Sequence, residues 1–305
     1  RSLQGSVDFR LDDNNTLIAR GMYNWRDDRE NRYVLGWGDI EPVFADDSEQ
    51  ITGWEGIANR ETKAGINSDR NKSTRLEDQR VINASLAGDH LFGNLKIDWM
   101  VSYSKASEER LDERYMAFEL GDPIALQTDF QNTEFPFVGA LNAEDVALGN
   151  FELDELTNET QYTEEEDFNT RLDFGYPTSI NGRKGQLKAG FRSRSKSKFR
   201  DNNFFEYSPQ NDQFETLANV PVNDQTKDNF LPGDKYNIGR FADAEFIGGL
   251  DLNNPELFEE EEVADEYLPE NFEASEDVIG GYLMWTQDLT DNLSFLAGAR
   301  VEATS

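Results

Sequence analysis

From Leu95 onward the chain alternates, with Leu95, Ile97, Trp99, Val101 and Tyr103 on one parity and Lys96, Asp98, Met100, Ser102 and Ser104 on the other. A period of two is what a strand with one apolar and one polar face produces. The same split recurs at Phe168, Thr170, Leu172, Phe174 and Tyr176 against Asp167, Asn169, Arg171 and Asp173. It returns at Leu293, Phe295, Ala297, Ala299 and Val301 against Ser294, Gly298, Arg300 and Glu302. Weaker copies cover 3–11, 16–27, 77–87, 185–200 and 276–287, where glycines and apolar residues on the polar parity, such as Ile18 and Met22, blur the pattern. One rule in every copy predicts an all-β fold of about eight strands in a single sheet.

The connections between these stretches fall into two kinds. Asp12 to Asn15, Gly88 to Asn94, Pro177 to Lys184 and Asp288 to Asn292 are short and rich in the residues that fit turn dihedrals. Residues 28–74, 109–163 and 201–275 are long, hold most of the prolines, show little sustained periodicity and are read as loops, with the acidic tract Glu259–Glu262 inside the third and Glu164–Asp167 at the end of the second. Loops of that length are uncommon inside compact domains. Alternation alone fits a soluble sandwich equally well, because polar residues then face water and apolar ones fill a core. Short turns at one end and long loops at the other instead match an antiparallel, up-and-down membrane β-barrel wall with long extracellular loops.

Composition narrows the partners. The 305 residues hold 29 Lys plus Arg against 61 Asp plus Glu, a net charge of −32 that repels phosphate backbones and excludes nucleic acid as a partner. The absence of Cys removes disulfides, thiolate metal sites and cysteine nucleophiles. No apolar run approaches the roughly 18 residues of a spanning helix, whereas a barrel needs an apolar residue only at every second wall position. With so many acids, some carboxylate pair is always available for glycoside chemistry, and nothing selects two at a catalytic separation. The chain is read as no enzyme. A single histidine, His90, placed in a turn, supplies neither a multi-histidine metal site nor a triad. No resident cofactor is expected; the acidic tracts offer oxygens for calcium, but no Asp-x-Asp-x-Asp-Gly loop is present.

The stretch from Asn271 to Trp285 ends near the pair Gly281-Tyr282, and Leu293 to Thr304 returns as a strand carrying Gly298, Arg300, Glu302 and Thr304. This hairpin resembles a mid-barrel hairpin of TonB-dependent outer-membrane receptors, whose returning strand reads Gly-x-Arg-x-Glu-x-Thr. The opening hairpin, Gly5 to Leu11 and Thr16 to Asn24, is similar to an early hairpin of the same family. The resemblance covers the strands, about half of the chain, and implies that residues 1–305 form one partial barrel region, the family's full wall having about 22 strands. It further implies a Gram-negative outer membrane, lipid around the wall, and partnership with a plug domain and TonB. The function so implied is TonB-dependent uptake of a small solute such as a metal chelate or oligosaccharide. Nothing here resembles the plug or its energy-coupling box, and the last strand is read as stopping in mid-course. The alternative is a secreted or surface-attached acidic β-sandwich that binds a glycan or calcium.

Two sets of residues carry the candidate sites. Arg192, Arg194, Lys196, Lys198 and Arg200 share one parity, a cationic stripe expected on the lumen face. With Tyr176 opposite Gly185, Asp173 would face Lys188, Asn169 Arg192, Asp167 Arg194, and Glu165 Lys196. The charges then neutralise one another, and a stripe that attracts anionic solutes is the competing reading. On the other parity, Tyr176 and Trp285 near short turns and Trp25 and Tyr103 toward the long loops would form two aromatic girdles. Trp99, in mid-strand, does not fit them.

Overall fold

The structure, a computed structural model, describes residues 1–46, 48–228, 230 and 236–305. It is all-β. Eight strands form a continuous antiparallel path: β1 (Ser2–Asp12), β2 (Asn15–Glu30), β5 (Arg75–Phe92), β6 (Leu95–Leu120), β9 (Phe151–Ile180), β10 (Arg183–Pro209), β14 (Phe272–Thr290) and β15 (Leu293–Thr304). The long connections hold β3 (Arg32–Phe44), β4 (Ile51–Gly65), β7 (Ile124–Asp129), β8 (Phe137–Ala140) and β13 (Phe258–Glu262), which join the same sheet. A separate two-stranded ribbon pairs β11 (Val222–Asp224) with β12 (Arg240–Ala242), and the short helices α1 (Ala244–Gly248) and α2 (Ala264–Tyr267) follow it. Among the described residues β1 pairs only with β2 and β15 only with β14, and every residue of these two strands is exposed.

The four short connections are two-residue hairpins, closed by the pairs Asp12–Asn15, Phe92–Leu95, Ile180–Arg183 and Thr290–Leu293. They are tighter than the alternation predicts, so three turn regions shrink: strands run on through Gly88–Phe92, Pro177–Ile180 and Asp288–Thr290. At the third hairpin Asn181 and Gly182 both have positive φ, 53° and 75°. That is the conformation of a type I′ turn, whose twist matches the flanking strands, and Asn-Gly adopts it at least cost.

The same hairpin corrects the expected register. Leu187, not Gly185, lies opposite Tyr176, so every pairing between β9 and β10 moves by two residues: Gly190 faces Asp173, Arg194 faces Asn169, Lys196 faces Asp167 and Lys198 faces Glu165. An even shift keeps each side chain on its face, because the side-chain period is two.

The segments 28–74, 109–163 and 201–275 are not plain loops. Strands β6, β9 and β10 run 26, 30 and 27 residues, well past the alternating stretches, and β4 takes the place beside β6 that β5 vacates, pairing Asn59–Gly65 with Glu113–Glu119. In the same way β13 takes over from β14 beside Phe205–Pro209. Both acidic tracts therefore lie within strands. Here sits the core, with Met116, Phe118, Phe151, Leu156, Leu217, Ile247 and Phe258 buried together. Fully burying a side chain of this size stabilises by about 1.5–3 kcal/mol.

Polar contacts tie the three segments to one another. Thr62 Oγ1 donates to the Ala242 carbonyl at 2.9 Å, and Arg114 Nη1 donates to the carbonyls of Ile247, Gly248 and Leu250 at 3.1, 3.1 and 2.8 Å. All three segments thus lie at one end of the sheet, as the alternating turns and loops predict. At the other end Arg183 and Asp291 join two hairpins at 2.8 Å. Among the described residues the eight path strands belong to one sheet, and the other sheet is only the β11–β12 ribbon.

Candidate functional site

The two faces of the path are chemically opposite. On one, Leu187 stands beside both Tyr176 and Trp285, so the two aromatics expected near the short turns share a row across three strands. Further rows run through Ile97, Phe174, Ala189 and Leu283, then Trp99, Leu172, Phe191 and Val301, then Leu86, Val101, Thr170 and Ile279. Many of these side chains stand in the open, with Leu283 55 %, Ile279 53 % and Tyr176 49 % exposed.

The apolar rows stop at Tyr103 and Phe168, which face each other; one step on, Lys105 faces Glu166. Tyr103 marks the boundary, its ring among the apolar residues and its hydroxyl donating to Glu166 at 2.9 Å. Trp25 lies higher, opposite Arg80 and stacked on Tyr23 with ring centroids 5.2 Å apart. Trp99 finds its reason here. Its indole N–H donates to His90 Nε2 at 3.0 Å, which leaves the imidazole proton on Nδ1 to donate to Asn15 Oδ1 at 2.8 Å. Gly88 makes the room, since a Cβ there would stand 2.4 Å from Trp99 Nε1. His90 is therefore a half-buried strand residue, not the exposed turn residue that the sequence suggests.

The opposite face carries the charged stripe. The tract Glu164–Asp167 divides by parity within β9. Glu164 and Glu166 meet Lys105 at 2.6 and 3.1 Å on the apolar side, while on the polar side Glu165 meets Lys196 at 2.7 Å and Asp167 meets Arg194 at 2.6 Å. The last two pairs are those expected, but they form diagonally, with long side chains spanning the two-residue shift.

The expected pair Asp173–Lys188 does not form. Asp173 instead accepts from the Tyr282 hydroxyl at 2.8 Å and lies 3.3 Å from Arg171. The Tyr282 ring reaches β9 across β10 only because Gly190 lies between: a Cβ there would stand 2.2 Å from the ring and 2.4 Å from Asp173 Oδ1. Arg192 faces Arg171, not Asn169, and among the described residues it has no carboxylate at ion-pair distance.

Gly298, Arg300, Glu302 and Thr304 fall on this same polar parity of β15, opposite Met284, Tyr282, Gly280 and Val278, and Arg300 pairs with Glu302. A cleft of about 470 Å³ crosses five strands here, lined by Met100, Asn169, Arg171, Arg192, Arg194 and Arg300 among others. Side chains from five neighbouring strands converge on it, so this face is concave. Four arginines in one cleft were not read as a unit from the sequence, because Arg171 and Arg300 come from strands whose neighbours only the pairing reveals. Among the described residues no three acidic or histidine side chains group as metal ligands would.

Fold and faces together define an all-β antiparallel sheet with one apolar face, one charged face and a packed cap at one end. Comparison with protein-family models found no match, and neither did comparison with curated proteins.

Proposed function

We propose that this chain forms part of the wall of an outer-membrane receptor of the TonB-dependent type, with the packed cap outside the cell, the concave face toward the lumen and lipid around the apolar rows. In this reading it captures and passes a small solute, a metal chelate or an oligosaccharide, and performs no chemistry. A plug domain and TonB are its partners in this reading. One observation carries the reading: an apolar face over which no second layer lies among the described residues. From Leu95 to Tyr103 the apolar stretch rises about 26 Å along the strand. Tilted by the roughly 40° of barrel strands, that becomes about 20 Å, close to the ~25 Å apolar belt of outer-membrane barrels.

Water tolerates exposed apolar patches of only a few hundred Å² on a monomer. Lipid favours such a face but tolerates no open sheet edge, so in this reading β1 and β15 are each paired in the membrane. The test is sedimentation of the purified chain with and without detergent. The expected result is aggregation in buffer alone and a defined species in detergent. A monodisperse monomer in water would overturn the reading.

A further inference from the structure

A cavity of about 700 Å³ opens within the cap, between the β3–β4 hairpin, the β7–β8 hairpin and the backbone that leads into β12. Its walls are mostly apolar, with Leu35, Trp37, Phe137, Val138 and Ile238 prominent, and Arg60 stands among them. Pockets of this size and apolar character are typical of sites for small organic molecules. Phe137 and Tyr236 close one side, tilted against each other at 5.7 Å, and the Tyr236 hydroxyl donates to the Pro136 carbonyl.

Arg60 is the unusual member. Its guanidinium lies between the rings of Phe151 and Phe241, 5.1 and 5.3 Å from their centroids, and Nη1 donates to the carbonyls of Ile238 and Arg240. These contacts fix its position without neutralising it. Nε is buried with no hydrogen-bond partner, and among the described residues no carboxylate stands at ion-pair distance. Asp224, the acid whose charge it feels, pairs with Arg240 at 3.8 Å. Burial pushes the guanidinium below the ordinary arginine range, and the charge of Asp224 offsets only part of that. A charge so placed is costly unless something pairs with it.

We propose that this cavity binds a small organic anion, an aromatic or alkyl body carrying one carboxylate, with the body against Trp37 and Phe137 and the carboxylate on Arg60. With Nη1 spent on two carbonyls and Nε buried, Nη2 is the guanidinium nitrogen left to donate a charge-assisted hydrogen bond to a carboxylate. The assignment does not rest on the sheet lying in lipid, since the cap has its own core.

The test is calorimetric titration of the purified chain in detergent with naphthoate and with naphthamide, which share a body and differ in charge. Naphthoate is expected to bind at least about tenfold more tightly, the ratio that a charge-assisted hydrogen bond supplies. Ala140→Trp, which fills the cavity and leaves Arg60 in place, is expected to abolish binding of both. Arg60→Gln is expected to bring naphthoate down to the affinity of the amide. Equal affinities for the two compounds, no binding of naphthoate, or binding that survives Ala140→Trp would each overturn the proposal. The charge comparison needs no variant, so it decides the matter even where Arg60→Gln fails to fold.

Discussion

The guanidinium of Arg194 meets the carboxylate of Asp167 at 2.6 Å, although the residue opposite Arg194 in the ladder is Asn169. The ion pair is diagonal, and a two-residue turn made it so. A double-mutant cycle with Arg194→Gln and Asp167→Asn should give a coupling of about 0.2–1 kcal/mol, the range of partly exposed cross-strand pairs. The parallel cycle on Lys188 and Asp173 should give none, because Asp173 is turned toward Tyr282 and Arg171. Measurable coupling in the second cycle would contradict the register.

In the proposed membrane wall the apolar and charged faces make opposite demands on a new charge. Val101 belongs to the apolar rows and its neighbour Ser102 to the concave face. Val101→Arg should cost about 2–4 kcal/mol for folding into bilayers, the penalty for arginine near the midplane, while Ser102→Arg should cost little. Equal tolerance of the two in vesicle-insertion assays would count against lipid on the outer face.

At the foot of the cap Arg75, whose side chain is 6 % exposed, pairs with the fully buried Glu113 at 3.1 Å and with Glu30 at 3.0 Å. Tyr115 also donates to Glu113. Glu113→Ala leaves the arginine largely buried with only its outer partner and should destabilise by about 3–5 kcal/mol, whereas replacing both with Arg75→Met and Glu113→Leu should recover much of that loss. Denaturant unfolding checks it. A double variant no better than Glu113→Ala would show that the pair itself, not the stranded charge, sets the cost.

Acidity should strengthen one part of the cap. Burial holds the carboxyls of Glu155 and Glu159 above the ordinary range, helped by the charges of Glu61 and Glu113 respectively. A carboxyl raised in the folded state binds its proton more tightly there. Its contribution is therefore fully present below the unfolded value and lost as pH rises through the folded one. Lowering the pH from 7 to about 5 should thus raise the stability of the cap through these two groups. Glu159→Gln should stabilise at pH 7 and flatten that response. Denaturant midpoints of both proteins at the two pH values measure it, and an unchanged slope in the variant would refute the role of Glu159.

Much was readable from residues alone, and the reason is locality. Alternation is a property of neighbours along the chain, so it set the faces of β6, β9 and β15 and put Tyr176, Arg194 and Gly298 on the correct sides without any knowledge of partners. Turn chemistry is local too. The Asn181-Gly182 pair holds the register of β9 against β10, and the two-residue error came from treating Pro177 to Lys184 as one loose turn. Other features depend on which strands become neighbours, and no local pattern encodes that. Asp173 meets Tyr282 across an intervening strand only because Gly190 leaves the space between them. The segments 28–74, 109–163 and 201–275 looked like loops because their apolar residues follow no single period; Phe118, Phe151, Ile247 and Phe258 are drawn from different strands and a short helix and become a core only when the three segments meet. Arg60 shows the limit most sharply. As a sequence position it is one arginine in an acidic chain, and only the packing of Phe151 and Phe241 around it makes it a half-buried cation at the wall of a cavity.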